Sequence, residues 1–189
     1  MLRQPDRSEA ASDQTAPMRS LDRSNQATAS ALRAAAQLCT DLGRVNDPEE
    51  LNTLLGRAAD VLDASGLVLW LATGAGLELR PAVAHGYSQE ALARMPPLAR
   101  SANNAAAAAY RTGALQIVLS RPGASKGAIV APVLSVNGCI GVLSAEVRDG
   151  GETSYTVQAL AAIFAAQLAG MLSSPPATGE QRATGSGGM

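Results

Sequence analysis

Two apolar runs meet across Asn137-Gly138 in the stretch IVAPVLSVNGCIGVLSAEV, Ile129 to Val147. Asn-Gly between hydrophobic runs is a hairpin signal, because a type I′ turn needs positive φ at both central residues. A hairpin with one wet face alternates apolar and polar residues. Here Ile129, Val130, Ala131, Val133 and Leu134 run almost unbroken, and so do Cys139, Ile140, Val142 and Leu143. Strands of that kind need cover on both faces.

The rest of the pattern supplies the covers. Ser24 or Asn25 caps a helix in which Ala31, Ala35, Leu38 and Leu42 form one apolar stripe. Asp47 caps a second helix, with Pro48 at its first position and Glu49-Glu50 in its first turn. Leu51, Leu54, Leu55, Ala58, Val61 and Leu62 face inward from it. A strand LVLWLAT follows, then a turn at Gly74-Ala75-Gly76 and a return strand LELRPAVAHGY. In the return strand Leu77, Leu79, Pro81, Val83 and His85 share one parity, and Pro81 marks an edge or a bulge. A short helix capped by Ser88 stops at Pro96-Pro97, and an alanine helix, AAAAAYRTG, ends at Gly113. After LQIVLS and the hairpin, Thr153 or Ser154 starts a last helix with Val157, Leu160, Ile163, Phe164, Leu168 and Met171 on its apolar side. This order predicts an α+β fold: an antiparallel sheet of five or six strands, terminal helices on one face, short helices over the other.

Composition limits the partners. The chain has 189 residues and a formal net charge of −1, with Lys126 its one lysine. No basic stripe for nucleic acid is visible. Residues 1–24 and 173–189 read as disordered ends, leaving a folded domain over 25–172. Aromatics are only 3%, so Ala, Leu and Val must build the core. Cys39 and Cys139 make neither a disulfide framework nor a metal cluster, and both sit in apolar surroundings that suit buried, reduced thiols. The N-terminus has no signal-peptide core. The strongly apolar stretches, of about seven residues, are read as too short for a membrane span. A cytoplasmic chain with no cofactor is expected.

Over about 35–172 the chain resembles a GAF domain. The resemblance is an ordered set of weak patterns: PEELNTLLGRAADVLDASGLVLWL, LELRPAVAHGY with its closing glycine, YRTGALQIV, APVLSVNGCIGVLSAEV and TVQALAAIFAAQLAGML. A PAS-like or other profilin-like sheet is the structural competitor. The resemblance implies a small-molecule pocket between the sheet and the middle helices, terminal helices that dimerise, and a sensory or regulatory role. The Asn, Lys, Phe, Asp and Glu signature of cyclic-nucleotide binders is missing. No cysteine stands in 86–113 to carry a bilin. The cysteine cluster of the free methionine sulfoxide reductases is absent too, and Cys139 alone cannot resolve a sulfenic acid.

Candidate ligand-binding residues are Trp70, His85, Ser101, Asn103 and Asn104. Each has a plainer structural role. His85 is the one histidine, and a metal site needs more ligands than it offers. Ser101, Asn103 and Asn104 head the alanine helix, where free N–H groups attract anions but also call for an ordinary N-cap. Trp70 suits a pocket floor or the core. Ala31, Leu38, Leu160, Phe164 and Leu168 are the candidate homodimer interface. The functional expectation is a non-catalytic regulatory domain with an unidentified small-molecule ligand or signalling-protein partner. The alternative is a ligand-free scaffold for dimerisation and protein interaction; a third reading, a redox enzyme of the free methionine sulfoxide reductase type, rests on Cys139 alone.

Overall fold

The computed structural model describes residues 15–45, 48–123 and 125–173. Asp47, the expected cap of the second helix, lies outside them, as do most of the two expected disordered ends. The elements follow the predicted order. They are α1 (Thr15–Leu42), α2 (Pro48–Val61), β1 (Ala64–Thr73), β2 (Glu78–His85), α3 (Gln89–Ala93), β3 (Leu98–Ala99), α4 (Ala105–Thr112), β4 (Gln116–Val118), β5 (Gly127–Ser135), β6 (Gly138–Val147) and α5 (Tyr155–Ser173). Helix α1 begins at Thr15, well before the Ser24 or Asn25 cap that the polarity of the segment suggested.

One antiparallel sheet runs β3-β2-β1-β6-β5-β4. Its two faces hold separate cores. On one, Leu67, Leu69, Ile129, Ala131, Val133, Leu143 and Ala145 meet Leu38 of α1, Leu55 of α2, and Leu160, Phe164 and Leu168 of α5. On the other, Val68, Trp70, Leu79, Val130 and Val142 pack against Ala106, Ala109 and Tyr110 of α4. This double cover explains the unbroken apolar strands: from Leu67 onward, odd residues of β1 face the terminal helices, and even ones face α4.

Bulges break the simple alternation in three strands, at Ser65 in β1, in β2 and in β6. In β2, Leu69 pairs with Val83 but Trp70 pairs with Pro81, leaving Ala82 unmatched. Leu79 therefore joins the α4 face while Val83 joins the other, although their parity is the same. Strand β3 pairs only with Glu78 and Leu79, so β2 is an open edge at Pro81, where a missing N–H costs no ladder bond. In the hairpin, Ser135 pairs with Gly138, so Val136 and Asn137 are the turn residues. Asn137 does not have positive φ and Gly138 does, at 114°. The two-residue turn therefore falls one residue earlier than expected, and it is not of type I′, since neither Val136 nor Asn137 has positive φ. The Ser135 hydroxyl accepts from the Asn137 N–H and donates to the Gly138 carbonyl, and glycine takes the strained position after the turn.

Two expectations about the terminal helices need correction. Leu38, Leu160, Phe164 and Leu168, expected at a dimer interface, are each 1% exposed inside the chain's own core. The sheet face is wide enough to absorb the apolar stripe that seemed in surplus. Ala31 is half-buried against the same core. Second, α5 carries no charge over its 19 residues, so by length and composition it is long and apolar enough to cross a membrane. Counting only strongly apolar residues missed this, because alanines carry much of the helix. Its buried face is what a core helix on a sheet requires.

Candidate functional site

Helix α4 positions the site. Asn104 caps it: the side-chain oxygen accepts from the Ala107 N–H at 2.8 Å. Gly113 ends it in the left-handed conformation, at φ 64°. Alanines at 106, 107 and 109 let the helix lie close on β5 and β6. The layer beneath is closed by Trp70, Tyr110 and the aliphatic residues of that core. The Trp70 indole N–H donates to Ser144 Oγ at 3.0 Å, and that hydroxyl donates to the Val68 carbonyl at 3.3 Å, so the tryptophan is a satisfied core residue.

The open space lies at the C-terminal end of α4. A cleft of about 350 Å³ is lined by Arg100, Tyr110, Arg111, Thr112 and Gly113, and across from them by Leu134 and Cys139 of the hairpin. Its volume is at the lower end of the range of small-molecule sites, about 300–1,000 Å³. The Arg100 guanidinium lies over the Tyr110 ring, 5.8 Å from its centroid. Arg111 donates to the Arg100 carbonyl and, at 3.0 Å, to the Ala102 carbonyl, which ties the loop before α4 to its last turn. Neither arginine forms an ion pair among the described residues, and no carboxylate lines the cleft.

Cys139 reaches this cleft because of the bulge in β6. Val133 pairs with Gly141 and Leu134 with Cys139, which leaves Ile140 unmatched. Strict alternation from Leu143 would send Cys139 to the terminal helices. The bulge instead sets it beside the α4 core, while Ile140 packs with the other. The thiol is half-buried, donates to the Gly141 carbonyl at 3.1 Å, and has its pKa raised by burial. Cys39 is also half-buried, with its thiol pushed up by burial, but packs with the core on the opposite face of the sheet. Both thiols are more accessible than the fully buried ones expected.

The other sequence candidates are scattered. His85 lies on the helix side of the sheet: a Cβ at Gly56 of α2 would meet its ring at 3.1 Å. It cannot share a pocket with α4, because the sheet stands between them. Ser101, Asn103 and Asn104 are at the N-terminal end of α4, and the cleft is at the other. Reading the sequence missed Arg100, Tyr110 and Arg111. The available signal was the YR pair that follows a run of five alanines, two large side chains at the end of a helix of small ones. Among the described residues no group of three or more His, Cys, Asp or Glu could hold a metal ion.

A polar cluster occupies the far end of the same sheet face. Lys126 Nζ donates to Ser65 Oγ at 3.0 Å and lies 3.6 Å from the Glu146 carboxylate. Tyr87 sits over Gly66, where a Cβ would strike its ring. Burial first, and then the bond to Glu146, hold its phenol well above the usual range.

The GAF domain family model matches residues 48–173, from the start of α2 to the end of α5. No curated protein matches the chain. Among solved structures, the fold is similar to the GAF domain of a phosphoenolpyruvate-protein phosphotransferase from Coxiella burnetii, with a TM-score of 0.66 at 14% identity, over 77% of this chain and 94% of that one. It is similar to the GAF-B domain of DevS from Mycobacterium smegmatis, with a TM-score of 0.52 at 25% identity, over 66% and 92%. It also resembles free methionine-R-sulfoxide reductase from Neisseria meningitidis, with a TM-score of 0.57 at 18% identity, over 74% and 89%. The family match covers most of the chain and the sheet order and helix placement agree with it, so this protein belongs to the GAF domain family, a family of regulatory and sensory folds.

Proposed function

We propose that this GAF domain is a non-catalytic regulatory module that reads a small molecule in the cleft between the end of α4 and the β5–β6 hairpin. One observation carries the reading. The layer between sheet and α4, where the ligand was expected, is filled by the chain's own side chains, and the cleft beside it is open and lined by polar groups. Occupation there would press on Leu134, which is half exposed, and through the hairpin on β5, against which α5 packs. That is a route from ligand to terminal helix.

Pairing with a second copy belongs to the proposal, through faces other than those first expected. Leu32 of α1 and Ala159, Ala162, Ile163 and Ala166 of α5 point away from the core and carry no charge. Output through a signalling-protein partner is the natural use of such a module. A reducing, cytoplasmic setting suits its two free thiols. The scaffold reading draws on the same closed layer beneath α4. A reductase of the kind seen in the Neisseria protein is disfavoured, because Cys139 is held as a thiol by burial and Cys39 lies across the sheet. Native mass spectrometry of the protein from its own host tests the proposal. A retained small molecule on a dimer is expected. A ligand-free dimer would favour the scaffold, and a ligand-free monomer would remove both readings.

A further inference from the structure

We infer that the cleft takes a small oxyanion, a metabolite bearing a carboxylate or phosphate, held between Arg100 and Arg111 with its apolar part against Leu134. The inference rests on the cleft being the ligand site, as proposed above, and adds the class of ligand. It stands on charge and geometry together. Four of the other described arginines, Arg57, Arg80, Arg94 and Arg148, are paired with carboxylates. The two at this cleft have no such partner, and no acidic side chain lines the cavity to oppose an anion.

Both guanidinium groups are oriented before a ligand arrives. Arg100 is laid on the Tyr110 ring, and Tyr110 is itself only 8% exposed, so the platform is rigid. Arg111 is anchored through one nitrogen, Nη1, on the two loop carbonyls. A guanidinium has five N–H donors, and the remaining ones form the flat fork that fits two oxygens of a carboxylate or phosphate. The simpler role for Arg111, fastening the loop to the helix, needs only Nη1. It gives no reason for a second cation beside it, nor for the cavity. The α4 C-terminus alone would repel an anion, since its carbonyls carry the negative end of the helix dipole. The two guanidinium charges outweigh that half-charge.

Cys139 provides a reporter inside the cleft. Inorganic phosphate, succinate and the neutral analogue succinamide are titrated against the full chain at constant ionic strength, and the native labelling rate of Cys139 is followed by mass spectrometry. Cys39, across the sheet, serves as the internal control. Phosphate or succinate is expected to slow labelling of Cys139 and leave Cys39 unchanged, while succinamide has no effect. Arg100→Gln should weaken that protection about tenfold, the loss of one charge-assisted contact. Arg111→Lys should weaken it while the fold, checked by circular dichroism, is retained. Equal protection by succinamide would overturn the anion class and leave the cleft standing as a ligand site. Protection that survives Arg100→Gln unchanged, or no protection by either anion, would overturn the inference.

Discussion

Several glycines of this molecule stand where a side chain would not fit. Gly141 of β6 lies against the Trp70 carbonyl of β1, and Gly127 at the start of β5 lies against the Glu152 carboxylate; a Cβ at either would collide. The consequences differ, because a backbone carbonyl cannot swing away and a carboxylate can. Gly141→Ala should destabilise the protein by more than about 3 kcal/mol, at the upper end of overpacking costs. Gly127→Ala should be milder, and adding Glu152→Ala should restore most of its loss but none of that at Gly141. Urea denaturation of the two single variants and of each combined with Glu152→Ala checks this. Glu152 also predicts a pH effect. It is 2% exposed, one carboxylate oxygen accepts from the Ser120 N–H at 2.8 Å, and the other has no hydrogen-bond partner. The bonds from Ser120 lower its pKa in the folded state. The stability it contributes is complete above the unfolded glutamate value of about 4.3 and is lost as pH falls through the depressed folded value. Glu152→Gln should therefore flatten the acid side of the stability profile below about pH 5, measured by denaturant midpoints at stepped pH.

At the scale of elements, α5 shows how a helix without charge is divided. Leu160, Phe164 and Leu168 are inside, and Ala159, Ala162, Ile163 and Ala166 are outside. Leu168→Glu should then unfold or strongly destabilise the single chain, by several kcal/mol, since it places an unpaired charge in a dry core. Ile163→Glu, 43% exposed in the wild type, should leave the fold intact and weaken self-association. Thermal unfolding combined with sedimentation separates the two outcomes. A pairing surface built on Leu168 would give the reverse pattern.

For the whole molecule, the sheet is a partition. Terminal helices pack over one side, and α4 covers only part of the other, leaving the cleft open beside its C-terminal end. On the function proposed above, β5 is the route from the cleft across the sheet, since it carries the hairpin at one end and packs against α5. The free cysteines fall on opposite sides of the same partition, which separates their chemistry as well.

The hydrophobic pattern by itself determined the element order, the antiparallel sheet and the need for two covers. Those follow from local periodicity and from the cost of wetting strands such as Ile129–Val133. Single residues with one local job were also legible: Ser88 caps α3, Gly113 ends α4, and Pro81 marks the bulged edge. Only the tertiary structure decided which apolar surfaces were truly in surplus, because burial depends on the width of the sheet a helix meets. It also decided the site. A bulge of one residue, invisible as a local signal, reverses the face on which Cys139 lies. The pairing of Arg100 with Tyr110 joins residues ten positions apart across a helix start. Side chains that meet through a register shift or a turn of the chain leave no period in the sequence, and the cleft joins the end of α4 to Arg100, Leu134 and Cys139 by such meetings.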